Sequence, residues 1–177
     1  NMRSTGSTVN AVTISGSSNV VFEDVHIKSA EIGVFVDGTG SAYIKVNSDT
    51  VIDSKNQSFY FGSEDTSENI ILDIFGKINS EATAIFSNSK GKVKINLHSG
   101  SEIKASATGI WNKESGFSLE MDGGLISGWT GIYSAGGKLT IRGGHIEATG
   151  DAAEAPNTGC PVSSKGASLK IIGGEFY

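Results

Sequence analysis

Hydrophobic and polar residues alternate along this chain in short segments, and three kinds of segment recur in a fixed order. The first kind places an aliphatic column at Val20, Ile44, Leu72, Ile95, Leu119, Leu139 and Leu169. The second kind gives a column at Ile27, Ile52, Ile78, Ile103, Ile126, Ile146 and Phe176. The third gives a column at Val12, Val34, Tyr60, Ile85, Ile110, Ile132 and Cys160. Since the columns share a period of about 25 residues, they predict a solenoid with three short strands in each coil.

Strands that repeat in this way stack in register, with ~4.8 Å between successive coils, and form parallel sheets. We find no run of ten or more residues with a helical apolar stripe, so almost no α-helix is expected. The prediction is an all-β fold, a right-handed single-stranded parallel β-helix of about seven coils. Residues 1–177 form a single domain in this interpretation. We expect that domain to be part of a longer protein, because residues 175–177 lie within a predicted strand.

Composition and charge exclude several classes of protein. The chain has 177 residues, of which 24 are glycine and 2 are proline, and its net charge is −5. The Lys and Arg residues are scattered, which argues against nucleic acid as a partner. No apolar stretch is long enough to predict a membrane span. The single cysteine, Cys160, is expected to be buried and unreactive opposite Ile110 and Ile132.

The residue after each third-segment anchor is predicted to face outward, because side chains alternate along a strand. In five consecutive coils this residue is aromatic, at Phe35, Phe61, Phe86, Trp111 and Tyr133. The residue before the anchor is usually small, with Phe59 as an exception. Rings beside a trough of small residues suit the stacking of flat sugar rings. The sequence therefore predicts a ligand-binding stripe, although a loop, a second chain or a further domain covering the stripe, or an inward orientation of the rings, would fit the same pattern.

A polar constellation is predicted on the outer face of the first strand of the coils. It contains Asp73, Glu120, Asp122 and Arg142. Carboxylates at such spacings can act as acid and base on a glycosidic bond, and Glu120 with Asp122 could contribute to a Ca²⁺ site. No catalytic motif accompanies them, and the alternating charges are typical of a solvated face. The sequence thus assigns no catalytic residue and no metal, and leaves these four residues as candidates.

Several phrases resemble a known superfold. The glycine-pair turns LEMDGGLI, LTIRGGHI and LKIIGGEF, together with TGIW and TGIY, resemble the right-handed parallel β-helix of the pectin-lyase-like superfold. Within it, the chain looks most like bacterial extracellular carbohydrate-binding modules and adhesin repeats. The superfold also includes pectate lyases, polygalacturonases and phage tailspikes. The resemblance implies a secreted or cell-surface location and a polysaccharide or host-glycan partner, but a fold does not by itself decide the activity.

These observations lead to one expected function and two alternatives. We expect a non-catalytic extracellular adhesin or carbohydrate-binding segment, which serves as a rigid spacer with an outward aromatic stripe. The alternatives are a polysaccharide lyase or glycoside hydrolase acting on an acidic polysaccharide, and a purely structural surface spacer. Neither end of the chain has an obvious cap, and open coil ends expose strand edges. Contact with neighbouring domains, or self-association through the coil ends, is therefore also expected.

Overall fold

A computed structural model describes residues 10–37, 40–150 and 159–177, together with the backbone of residues 2–4. The described residues form twenty-two strands and no helix, and the strands lie in three sheets. Sheet 1 contains β3 (Ser18–Phe22), β6 (Ser41–Val46), β9 (Asn69–Ile74), β12 (Lys92–Leu97), β15 (Phe117–Met121), β18 (Lys138–Ile141) and β21 (Ser168–Ile171). Sheet 2 contains β1 (Met2–Ser4), β4 (His26–Ser29), β7 (Val51–Ser54), β10 (Lys77–Ser80), β13 (Glu102–Ala105), β16 (Leu125–Gly128), β19 (His145–Ala148) and β22 (Glu175–Phe176). Sheet 3 contains β2 (Val12–Ser15), β5 (Val34–Asp37), β8 (Phe59–Phe61), β11 (Ile85–Ser87), β14 (Thr108–Asn112), β17 (Thr130–Ser134) and β20 (Val162–Ser164).

Neighbouring strands in every sheet are parallel, and each strand pairs with the equivalent strand of the next coil. The predicted all-β parallel solenoid is therefore confirmed. The predicted number of coils is too high, because about five coils are complete rather than seven. None of the described residues forms a helix long and apolar enough to cross a membrane.

The interior is a narrow aliphatic core shared by all three sheets. Sheet 1 contributes the predicted column from Val20 to Leu169, and sheet 2 contributes the column from Ile27 to Phe176, both in the predicted register. Between Ile44 and Leu139 the first of these columns is fully buried. Since each coil buries its apolar face only against its neighbours, this stacking is what stabilises the fold.

The third column differs from its predicted register at two positions. Phe59, not Tyr60, pairs with Val34 and Ile85, so Phe59 and Phe61 point inward and Tyr60 points outward. Phe59 and Phe61 are fully buried, and their rings stack with a centroid distance of 6.1 Å. The prediction of an outward Phe61 is therefore wrong. A buried tyrosine hydroxyl needs a hydrogen-bond partner whereas a phenylalanine ring does not, which favours this arrangement of a Phe-Tyr-Phe segment.

A second correction concerns Cys160. Val162, not Cys160, pairs with Ile132. Cys160 lies before β20 and is partly exposed, so the predicted burial opposite the isoleucines is wrong. The intervening segment 149–157 is longer than in other coils, and its residues 151–157 lie outside the described residues. This variable length removed the spacing signal that would have located the strand.

The small residues that directly precede the inward anchor residues of sheet 3 do not form an open trough. Gly33, Ala84, Gly109 and Gly131 are buried at the corner between sheets 2 and 3, and Ser58 occupies the position in the coil between Gly33 and Ala84. A Cβ atom on Gly131 would lie 2.5 Å from the carbonyl oxygen of Pro161 in the next coil. Only small residues fit at these positions, because the chain turns there in close contact with the backbone of the next coil.

Candidate ligand-binding surfaces

The outer face of sheet 3 carries a continuous row of five aromatic side chains, which we call the aromatic ladder: Phe35, Tyr60, Phe86, Trp111 and Tyr133. Each pairs in register with the next, because each follows an inward-facing residue of its strand. The ring centroids are 5.3, 5.2, 5.4 and 6.1 Å apart along the row. The stacking of coils has thus brought together side chains that are about one repeat apart in the sequence.

The rings of the ladder are tilted rather than coplanar. Neighbouring planes differ by 46° to 86°, so each ring packs an edge or a tilted face against the next. Such pairs contribute roughly 0.5–1.5 kcal/mol each beyond their buried area. Trp111 is the most exposed ring at 36%, and the other four are half-buried. The ladder therefore stabilises the sheet and also leaves aromatic surface in contact with solvent.

One cation lies over the centre of the ladder. The Lys113 ammonium group is 5.2 Å from the ring centroids of both Phe86 and Trp111, which is within cation–π distance. Among the described residues Lys113 forms no ion pair with a carboxylate. It therefore adds a positive charge beside Trp111, the most exposed ring of the ladder.

Four of the five predicted stripe residues, Phe35, Phe86, Trp111 and Tyr133, lie in the ladder. The fifth position is Tyr60, which the sequence analysis placed in the core. A recurring spacing could have revealed this, since Ile27 and Val34, Ile78 and Ile85, and Ile103 and Ile110 are each seven positions apart. The same spacing from Ile52 ends at Phe59 rather than Tyr60.

The acidic candidates of sheet 1 occupy two separate clusters. In the first, Asp73 accepts hydrogen bonds from the Tyr43 hydroxyl at 2.7 Å and the Asn96 amide at 2.6 Å. Burial raises the pKa of Asp73, but these hydrogen bonds and the nearby His98 outweigh it and lower the pKa below its usual range. His98 Nε2 lies 3.7 Å from the Asp73 carboxylate, too far for a hydrogen bond. Asp73 is thus held as a carboxylate whose oxygens are already engaged.

The second cluster contains the other three candidates. Arg142 lies 2.8 Å from Asp122 and 3.6 Å from Glu120, and Lys94 lies 3.4 Å from Glu120. The structure therefore brings Glu120, Asp122 and Arg142 together but leaves Asp73 apart, two strands away. In the described part of the chain, no three His, Cys, Asp or Glu side chains are grouped so that they could hold a metal ion. The arrangement is that of a solvated ion-pair face.

A groove of about 740 Å³, which the sequence analysis did not find, follows the corner where sheet 2 ends. It crosses four coils, and its charged and amide-bearing lining consists of Lys28, Asp53, Lys55, Asn79, Glu81 and Lys104. Its floor is formed by the small residues that end the strands, such as Ser54 and Ser80. Because the charged and amide-bearing lining residues change in type from one coil to the next, no repeated motif marked this surface.

Asp53 is the most constrained side chain of the groove. Its carboxylate lies 2.6 Å from His26 Nε2 and accepts a hydrogen bond from the Asn79 amide at 2.8 Å. Burial raises the pKa of Asp53, but the bonds from Asn79 and His26 outweigh it and lower the pKa. The groove therefore contains a carboxylate that is fixed by His26 and Asn79, with Lys28 of the preceding coil in register beside it.

Comparison of the chain with protein-family models, with curated proteins and with solved structures found no match.

Proposed function

We propose that this chain is a non-catalytic, extracellular or cell-surface adhesive segment, in which a rigid β-solenoid presents the aromatic ladder to a polysaccharide. The observation that supports this most directly is the ladder itself. Five adjacent outward rings lie on one face of the solenoid, and Trp111 at 36% exposure is in contact with solvent. Contiguous aromatic surface in contact with solvent often marks a site of interaction.

The chemistry of sugars fits this surface. A pyranose ring has an apolar face of C–H groups that packs on an aromatic ring, and hydroxyl groups at its edge that remain in water. Half-buried rings in a row offer several such contacts without any of them being fully enclosed. The ammonium group of Lys113 could in addition donate a hydrogen bond to a hydroxyl or a carboxylate of the ligand.

A catalytic function has less support from the geometry. Both Glu120 and Asp122 contact Arg142, and Asp73 is engaged by Tyr43 and Asn96. An acid–base pair for glycoside hydrolysis needs one protonated carboxyl group and one free carboxylate facing the same bond. These contacts favour binding over hydrolysis.

A glycan array that compares the wild-type chain with two variants tests this proposal. We expect Trp111→Ala to weaken binding by about tenfold, because it removes the most exposed ring of the ladder and the contacts between that ring and its two neighbours. Tyr43→Ala is the matched control, since Tyr43 is equally exposed at 36% but lies on sheet 1. Binding that is insensitive to Trp111→Ala would contradict the proposal. An absence of binding to every glycan would instead favour a purely structural spacer.

A further inference from the structure

The aromatic ladder has a defined direction and a defined length. Its rings follow the stacking direction of the coils, because every ladder residue is in register with the next. The row ends at both sides, where Thr13 pairs with Phe35 and Ser163 pairs with Tyr133. Four strand spacings of ~4.8 Å make the row roughly 20 Å long. A ligand that contacts all five rings must therefore lie parallel to the solenoid axis.

The distance between neighbouring rings of the ladder restricts the shape of such a ligand. The ring centroids are 5.2 to 6.1 Å apart. A pyranose chain joined through equatorial bonds at C1 and C4 is an extended ribbon, and each of its residues advances by about this distance. A 1,4-linked glucan whose bond is axial at C1 and equatorial at C4 coils instead, so that its rings leave a straight row after a few residues.

Resting on the proposed function, we infer that the ladder selects an extended, equatorially linked polysaccharide that lies along the solenoid axis. One binding event covers about five sugar residues, with Phe35 and Tyr133 at the two ends. The tilt between neighbouring rings limits the contact that each sugar makes, so affinity is gained over the whole row rather than at one ring.

Calorimetric titration of the full chain with oligosaccharides of two to eight residues tests this inference. The extended probes are cello- and chito-oligosaccharides. The coiled probes are malto-oligosaccharides, which contain the same sugar as the cello series but in axial linkage. We expect the affinity for an extended probe to rise by about two- to tenfold with each added residue, up to about five residues, and then to level off. Malto-oligosaccharides of equal length are expected to bind more weakly.

An end variant locates the limit of the row. Tyr133→Ala removes the last ring and should make the affinity level off about one residue earlier. Tyr177→Ala is its control, because Tyr177 is exposed and stacks on His145 outside the ladder. We expect the control to leave the length dependence unchanged.

Each other outcome has a definite meaning. Affinity that does not depend on length, equal or tighter binding of the coiled probes, or an unchanged limit in Tyr133→Ala would overturn the inference. The proposed function would survive those results if Trp111→Ala still weakened binding. If neither series binds and the glycan array is also negative, both the inference and the proposed function fail.

Discussion

Replacing the buried Glu68 by glutamine is expected to stabilise the protein at neutral pH. Glu68 immediately precedes β9, at a position where the adjacent coils have Gly40 and Gly91. It is 1% exposed, and within the described residues its Oε1 atom has no hydrogen-bond partner. The other carboxylate oxygen accepts a hydrogen bond from the Ser89 hydroxyl. A carboxyl group thus occupies a corner where each of the two adjacent coils has a glycine.

The electrostatic surroundings disfavour the charged form of Glu68. Burial has the largest effect and raises the pKa of Glu68, and the negative charges of Asp65 and Asp37 raise it further. Hydrogen bonds from Ser89 and Ser63 oppose this shift without cancelling it. The folded protein must therefore either bind a proton at Glu68 or bury an incompletely paired charge.

The sign of the pH dependence follows from this raised pKa. The contribution of Glu68 to stability is fully present below the unfolded-state pKa of ~4.3. It is lost as the pH rises through the folded-state pKa, because the unfolded chain then releases its proton more readily. Glutamine keeps the volume of the side chain and an acceptor for Ser89 but has no charge. A neutral buried group left unsatisfied costs about 1–3 kcal/mol and a charged one costs more, so removing the charge by Glu68→Gln should gain roughly 1–2 kcal/mol at pH 7 and little at pH 4.

Thermal or urea unfolding of both proteins at several pH values measures this difference. A gain of that size corresponds to a rise in Tm of roughly 2–8 °C for a chain of this length. Glu64→Gln is the matched control in the same segment, since the Glu64 side chain is 78% exposed and pairs with Lys90 at the surface. We expect the control to be nearly neutral at both pH values. A loss of stability in Glu68→Gln at pH 7, or an effect of equal size at pH 4 and pH 7, would refute the reasoning.

Two further predictions concern packing, and both are measured by urea unfolding. Phe61→Ala should lower the free energy of unfolding by about 3–5 kcal/mol, because it leaves a cavity in the core. Tyr60→Ala removes a half-buried outer ring and should lower it clearly less. Equal losses in the two variants would contradict the inward placement of Phe61. Gly131→Ala should cost about 1–3 kcal/mol or more, since its Cβ would meet the Pro161 carbonyl oxygen at 2.5 Å. Gly33→Ala is expected to behave in the same way, because its Cβ would lie 2.8 Å from the Ser58 carbonyl oxygen. Unchanged stability in both variants would show that this corner is not tightly packed.

The repeat itself could be predicted because it depends on local patterns of apolar and polar residues. Alternating apolar and polar residues specify which side of a strand is buried, and the recurrence of Val20, Ile44 and Leu72 with the column at Ile27 specifies how coils stack. These two columns needed no tertiary information, since each residue packs on its equivalent in the next coil. The outward placement of Phe86, Trp111 and Tyr133 followed from the same alternation.

The arrangement of polar side chains could not be obtained in this way. The partners of Asp53 and Asp73 come from neighbouring coils, 20 to 30 residues away in the sequence. Whether a carboxylate meets an arginine, an amide or another carboxylate depends on the register and on side-chain direction, which alternation alone does not define. The groove at the end of sheet 2 arises similarly from charged and amide-bearing residues whose type changes from one coil to the next.

The sequence by itself determined the solenoid, its three sheets and the identity of most core residues, because a short-period pattern is sufficient to assign the inner face of each strand. Alternation did not decide the direction of the Phe59-Tyr60-Phe61 segment, because three aromatic residues in succession satisfy it in either register, and only the seven-position spacing from Ile52 favours Phe59 as the inward residue. The tertiary structure fixes this direction, because the packing of neighbouring coils accommodates two stacked phenylalanine rings inside and a tyrosine hydroxyl outside.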